Sequence, residues 1–443
     1  MRAHLHNAWY GLLDYAAYPV AMLCVAPTLL RHLGVSGYGI FAFGVAAVNI
    51  GAIVASGFGD ANTQLIAKSR AAENITLIRV FVRCTLGIHL VLGTALMILG
   101  MVLSPWIAKK VTVAEPGSMQ VCAEIFLIAS IMVLFRSVET VAVSTQRAFE
   151  SYADAITVSA VVRILTLVCA AVLASRGFSL QVIFITMAAL SGAGTALQLW
   201  RVGQRVSFCS LVPSLQHQQT RALVAYGRFT WILALGAVIF SQVDRLLIGL
   251  SMGTAAVTAY SLAAQLAQPI TGSAASALHF LFPHLAHRAT HSGVGSVTRP
   301  TSRAFVCNAG LVLVEAIPLL LFGHFILRTW MGEQNAKLSE HILPLLVIAS
   351  AFSALSVTGN YALLALGRAR ASSLITLASG CLMLTLALPL TSRWGTQGMA
   401  VARLISGMAS LLVYLPVWRQ LRAKHLPTPA LALGQPAEQG ALR

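Results

Sequence analysis

Four arginines fall inside long apolar stretches of this 443-residue chain: Arg136, Arg163, Arg245 and Arg403. Acids inside or beside such stretches are Asp14, Glu139, Asp244 and Glu315, with Asp60 and Asp154 near segment ends. A guanidinium presents a rigid fork of donors that matches phosphate or carboxylate oxygens. Placing one in an apolar helix costs about 2.5–3.5 kcal/mol on insertion scales. Such groups therefore face one another or a wet cavity. Arg136 and Glu139 stand i, i+3 and can neutralise each other on one helix. Asp244 can equally hold a helix partner. Taken together, the four Arg predict a single lumen that binds an amphipathic anion.

Other polar residues have helical spacing. His6, Tyr10, Asp14 and Tyr18 recur at i+4 steps. Asp14 is either a protonatable coupling site or part of an acid-and-aromatic belt at a helix end. Asn49, Ser56 and Asp60 share the i, i+7, i+11 spacing of Gln265, Gly272 and Ser276. On continuous helices each set lies on one face. Pro19, Pro27, Pro269, Pro318 and Pro344 interrupt apolar runs. Each removes a backbone hydrogen bond and permits a kink. Pro269 is expected to be a hinge, because Gly272 and other small residues surround it.

His284, His287 and His291 accompany Arg288. Neither Cys nor acid joins them, so they read as a headgroup-facing basic end and no metal is expected. His89 and His279 read as core or lumen residues. Walker, G-x-S-x-G and H-E-x-x-H motifs are absent, as is a paired-carboxylate site. The expectation is a non-enzyme without cofactor and without an ATP motor of its own. A coupling ion, H+ or Na+, is left open.

The elements that position these residues are membrane spans. Hydrophobic residues make up 57% of the chain and charged residues 10%, against about 25% charged in soluble proteins. A spanning helix needs about 20 apolar residues. Twelve segments qualify: 9–30, 37–59, 80–106, 121–144, 156–175, 180–200, 224–249, 255–281, 304–327, 341–366, 372–391 and 396–418. The net charge of +17 would point to nucleic acid in a soluble protein. Here the Lys and Arg sit in short loops beside anionic headgroups, and no nucleic-acid partner is expected. With a cytoplasmic N-terminus, nineteen Lys and Arg fall on inner loops and seven on outer ones. That bias predicts both termini in the cytoplasm. Arg2 precedes an apolar run, but Asp14 and Pro19 interrupt it, so an uncleaved first helix is expected. The seven scattered Cys read as small core residues.

The halves repeat at an offset of about 216–221. Tyr10-Gly11 matches Tyr226-Gly227, Arg147 matches Arg368, and Trp200-Arg201 matches Trp418-Arg419. An even number of helices per half makes the repeats parallel. The expected fold is an all-α polytopic membrane protein with two six-helix lobes. Residues 1–201 form the N-terminal lobe, 202–222 a cytoplasmic linker, 223–424 the C-terminal lobe and 425–443 a disordered tail. The four Arg should then line one cavity between the lobes.

Three stretches carry a family resemblance. They are P-T-L-L-R-H-L-G-V-S-G-Y-G-I-F from Pro27 to Phe41 with Gly59-Asp60; D-R-L-L-I-G-L-S-M-G-T-A-A-V-T-A-Y from Asp244 to Tyr260 with Phe282-Pro283; and A-L-G-R-A-R from Ala365 to Arg370 with G-T-Q-G-M-A-V-A from Gly395 to Ala402. In this order they resemble the multidrug/oligosaccharidyl-lipid/polysaccharide (MOP) exporter superfamily, and within it the Wzx-type polysaccharide-unit flippases. The resemblance implies a MATE-like V shape and alternating access. It implies an undecaprenyl-pyrophosphate-linked oligosaccharide as substrate, from O-antigen, capsule or exopolysaccharide synthesis, at the inner membrane. Membrane lipids and a polysaccharide polymerase complex are the implied partners. The alternative is a cation-coupled multidrug exporter of the same fold, which would favour an acidic lumen. A membrane glycosyltransferase or polymerase would carry large extramembrane loops or an acidic catalytic motif, and neither is present.

Overall fold

Lipid supplies no hydrogen-bond partner, so an apolar span must satisfy its own backbone as a helix. In the computed structural model the described residues of the twelve apolar segments fall almost entirely on helices. The structure describes residues 2–112, 116–215, 217–278, 281, 284–285, 288–289 and 294–422. The first half contains α1 (Arg2–Ser56), α2 (Gly59–Ala71), α3 (Ile75–Val111), α4 (Met119–Ala148), α5 (Tyr152–Ser175) and α6 (Leu180–Val206). The second contains α7 (His217–Met252), α8 (Thr254–Ala277), α9 (Thr298–Met331), α10 (Glu333–Ser339), α11 (Leu343–Ala365), α12 (Ala369–Ser410) and α13 (Tyr414–Arg422). Among the described residues, eight helical stretches are long and apolar enough to cross a membrane. Two of them are double: the 54-residue stretch Tyr18–Ala71 holds the segment 37–59 and the later part of 9–30, and the 52-residue stretch Ala369–Gln420 holds 372–391 and 396–418. Val102, Val314, Leu321, Phe325 and Leu374 are each at least 66% exposed. Large apolar side chains this open make a lipid-facing surface. The chain is a multi-pass membrane protein.

The breaks between spans reveal the repeat. Gly34 bends α1 with φ 71°, and Gly395 bends α12 with φ 59°. Positive φ is cheap only for glycine, because a Cβ crowds the backbone there. Gly34 has its counterpart in Gly253 (φ 84°), and Gly395 has its counterpart in Gly177 (φ 76°). Glu150 (φ 62°) and Gly367 (φ 70°) form a third pair. All three pairs fall at the offset read from the sequence. The chain therefore turns at matching points in the two halves.

Within the first half, α1 packs on α4 and α5, while α4 packs on α3 and α6. Within the second, α11 packs on α8, α9 and α12. Across the halves, α1 meets α7 and α8, and α3 meets α7. A core of Tyr38, Phe41, Phe43, Phe126, Phe184 and Tyr260 joins them. Phe41 meets Phe184 edge-on at 5.7 Å, and Phe43 meets Phe126 at 5.1 Å.

Some sequence expectations change. The helix carrying Asn49 stops at Ser56, and a turn at Gly57-Phe58 precedes α2. Asp60 thus starts a separate helix and does not extend the Asn49 face. Its counterpart face on α8 is continuous through Gln265, Gly272 and Ser276. Pro344 sits in the first turn of α11 and does not interrupt it. A proline there loses no helical bond, since that N–H has no partner in any helix. Pro19, Pro27, Pro269 and Pro318 do lie inside helices, as do Pro105 and Pro389. Helix α6 runs on to Val206 and α7 starts at His217, so the irregular connection is shorter than 202–222. The tail 425–443, His279, Phe282-Pro283, His287 and His291 lie outside the described residues, as do the side chains of His6, Tyr10, Asp14 and Ser56.

Candidate functional site

Two small cavities adjoin in the middle of the bundle. The first, about 40 Å³, lies between the halves. Tyr18, Met22, Ala42 and Val45 of α1 form one wall, and Arg245 of α7 with Ser261, Gln265 and Gln268 of α8 form the other. The second, about 30 Å³, lies within the first half. Asn49 of α1, Arg136 of α4 and Arg163 of α5 line it. Tyr18 and Val45 belong to both walls. Tyr18 hydrogen-bonds Asn49 and lies within electrostatic reach of Arg136, Arg163 and Arg245.

Helix packing places each charge. Arg136 and Glu139 are one turn apart on α4, and the Arg136 Nη1 donates to Glu139 Oε2 at 2.9 Å. Ser159 of α5 donates to the other Glu139 oxygen at 2.7 Å. Glu139 also lies in the field of Arg163. One carboxylate thus stands between two guanidinium groups. Arg245 is held differently: its Nη1 donates to Gln242 Oε1 at 3.0 Å.

Asp244 is buried to 1% exposure and has three partners. It accepts from the Arg403 guanidinium of α12 and from the Tyr260 hydroxyl of α8 at 2.7 Å. The backbone N–H of Arg245 donates to it at 2.8 Å. The pair binds α7, α8 and α12 together. Arg403 therefore does not share a lumen with the other three Arg. The expectation of one four-arginine cavity is corrected: Arg245 lines the cavity between the halves, Arg136 and Arg163 line its neighbour, and Arg403 is neutralised by Asp244.

Glu315 of α9 accepts from Ser273 of α8 at 2.9 Å, and lines neither cavity. Asp60 is exposed in the first turn of α2, likewise away from both. Gln265 lines the first cavity and donates from Nε2 to the Tyr38 hydroxyl at 2.7 Å, a bond between the halves. Pro269 follows one turn later in α8. His89 is buried and meets Ser137 of α4. The seven Cys are free thiols; Cys84 and Cys122 are buried, but Cys24, Cys209, Cys307 and Cys381 are exposed, so the expectation that all are core residues is corrected. Among the described residues, no cluster of His, Cys, Asp and Glu could hold a metal ion.

Sequence reasoning passed over Tyr38, Tyr260, Ser261 and Gln268. A signal was present for the two tyrosines. Each stands within two turns of a helix-breaking glycine, Gly34 or Gly253, at the start of the second span of its half.

The halves touch at both ends of the cavities. At the Gly34 end, Ser36 and Thr254 hydroxyls meet at 3.1 Å, and Thr258 donates to the Val35 carbonyl at 2.6 Å. The Trp330 indole donates to the Leu23 carbonyl at 2.9 Å. At the opposite end, the Trp231 indole donates to the Val54 carbonyl at 2.8 Å and stacks on Phe58, 6.4 Å between ring centres. Among the described residues the halves are in contact at both ends, and the two cavities between these contacts hold room for only a few water molecules.

A family model described as polysaccharide biosynthesis protein matches residues 7–288. The chain belongs to that family. The chain also shares its fold with solved transporters. It is similar to the lipid II flippase MurJ in an inward closed conformation, with TM-score 0.75 and 14% identity over 93% of this chain and 87% of that one. It is similar to a multidrug resistance MATE family transporter of the MOP superfamily in an inward-facing conformation, with TM-score 0.74 and 16% identity over 93% and 98% of the two chains. An outward-facing MATE family transporter of that superfamily gives 0.57 at 13% identity, covering 94% and 98%. These likenesses establish the MOP-type fold. A comparison with curated protein sequences found no match.

Proposed function

We propose that the protein is a Wzx-type flippase. It carries undecaprenyl-pyrophosphate-linked oligosaccharide repeat units from the cytoplasmic to the outer leaflet of the inner membrane by alternating access. The observation that carries this reading is the charge of the lumen. Three guanidinium groups, Arg136, Arg163 and Arg245, line two adjoining cavities, and among the described residues no acid lines either; Glu139 pairs with Arg136 outside the lining. Asp244 adds no free negative charge, because Arg403 and Tyr260 occupy it. The excess of guanidinium groups complements a doubly charged pyrophosphate. A lumen that collects cationic drugs needs the opposite sign. The polyisoprenoid tail stays in lipid while the polar head crosses between the halves.

The closed cavity is too small for a sugar head, so the halves must part to load and to release it. Polysaccharide synthesis provides the setting, with the neighbouring polymerase as a partner and no catalytic step in the protein itself. Both termini lie in the cytoplasm in this reading. Coupling to H+ or Na+ remains part of the proposal, with Asp14 as its acidic candidate.

The test is transport of lipid-linked oligosaccharide in proteoliposomes, with and without an ion gradient. Arg136→Gln, Arg163→Gln and Arg245→Gln should each lower the rate at least tenfold. The Lys variants should fall between, since they keep charge and lose the fork. Equal activity of Lys and Gln variants with wild type, together with export of cationic dyes, would instead identify a drug exporter.

A further inference from the structure

Buried polar atoms normally have partners, and leaving one unsatisfied costs about 1–3 kcal/mol. Three such orphans occur on one cavity. Arg245 Nε, Ser261 Oγ and Gln265 Oε1 are buried without a hydrogen-bond partner, and all three residues line the space between the halves. Ser261 is 1% exposed and Gln265 is 8% exposed. None of the side chains lining the neighbouring arginine cavity carries such an orphan, Arg245 not being among them.

The chemistry of the three atoms selects their ligand. Arg245 Nε–H only donates. One Gln265 N–H donates to Tyr38, and its Oε1 is left to accept. Ser261 does either. A phosphate oxygen would serve Arg245 and Ser261 and leave Gln265 unsatisfied. A hydroxyl or a secondary amide both donates and accepts, and serves all three. A further acceptor comes from the backbone. Pro269 has no N–H, so the Gln265 carbonyl four residues earlier lacks its helical donor.

We infer that Arg245, Ser261 and Gln265 form a sugar-reading subsite, which takes a hydroxyl or N-acyl group of the saccharide next to the pyrophosphate. This rests on the flippase reading and deepens it. The pyrophosphate then lies toward Arg136 and Arg163, and the first sugar lies against α7 and α8. Tyr18, shared by both walls, marks the boundary between the two parts of the head. The subsite also has a direct line to closure. The Gln265 side chain that reads the sugar is the one that bonds the opposite half through Tyr38.

The experiment compares two probes on the purified full-length protein in nanodiscs. One is sugar-free undecaprenyl pyrophosphate, and the other is the lipid-linked saccharide fraction extracted from cells that make the protein. The readout is the ratio of the two affinities, which is insensitive to the fraction of folded protein. Wild type should prefer the saccharide-bearing lipid. Ser261→Ala and Gln265→Met should each lower that preference about tenfold, the scale of one lost buried hydrogen bond to a polar ligand. Arg136→Gln and Arg163→Gln should weaken both probes and leave the ratio in place. An unchanged ratio in both Ser261→Ala and Gln265→Met overturns the subsite, and so does a parallel loss of both probes in these variants. Undiminished binding of the sugar-free lipid by Arg136→Gln and Arg163→Gln contradicts the flippase reading itself. Failure of wild type to bind either probe removes both.

Discussion

Asp244 and Arg403 divide a charge unequally between core and surface. The carboxylate side chain is 1% exposed and the guanidinium 29% exposed. Removing either partner leaves the other uncompensated inside the bundle, and breaking such a pair typically costs about 3–5 kcal/mol. Asp244→Asn is therefore expected to lower the melting temperature of the purified protein, with Arg403→Gln somewhat milder. The Asp244→Asn/Arg403→Gln double variant should recover a large part of the loss. Strict additivity in that double-mutant cycle would mean that the two groups do not interact. This pair also marks the limit of reading charge from sequence. Arg136 and Glu139 lie one turn apart, so their bond follows from helical spacing. Asp244 and Arg403 are separated by 159 positions. Only the packing of α7 on α12 brings them together, and nothing in the local pattern of either segment announces it.

At the scale of elements, apolar length and glycine position made the helices legible, because lipid leaves a long apolar segment little alternative. Asp60 and Pro344 were misread because spacing arguments assume where a helix begins. The break at Gly57-Phe58 and the first turn of α11 are set by local backbone geometry that composition does not carry. Two elements invite direct tests. Pro269 removes a helical bond from α8 beside the cavity between the halves. If α8 bends there during transport, Pro269→Ala should slow turnover and narrow the spread of distances between spin labels on the two halves. An unchanged spread at normal turnover would assign the proline a static role. At the Gly34 end, a Cβ on Gly39 would collide with the Thr254 carbonyl and approach the Thr258 hydroxyl. Close approach there depends on the missing side chain. Ser36→Cys with Thr254→Cys should cross-link rapidly in a background lacking the seven native Cys. Adding Gly39→Val should slow that cross-link at least severalfold, and an equal rate would show that α1 and α8 do not meet there in the membrane.

For the whole molecule, the distribution of Lys and Arg implies a cytoplasmic location for both termini, which labelling can test. A cysteine at Gly117 should react with an impermeant maleimide applied to intact cells, and one at Ser214 should react only after permeabilisation. The opposite pattern would invert the topology and, with it, the direction of transport. The contact between the halves at Trp231 has an optical consequence. Trp231 bridges the halves at the end away from Gly34, its indole N–H bonded to the Val54 carbonyl and its ring lying on Phe58. In the proposed alternating access that end opens, and the ring would exchange a carbonyl and an aromatic face for water. Its emission should shift to the red and become open to quenching by iodide. The chain has seven Trp in all, so the signal is the difference between wild type and Trp231→Phe. If the proposed alternating access holds, Trp231 is a native chromophore at one gate, and its opening can be followed in real time without any attached label.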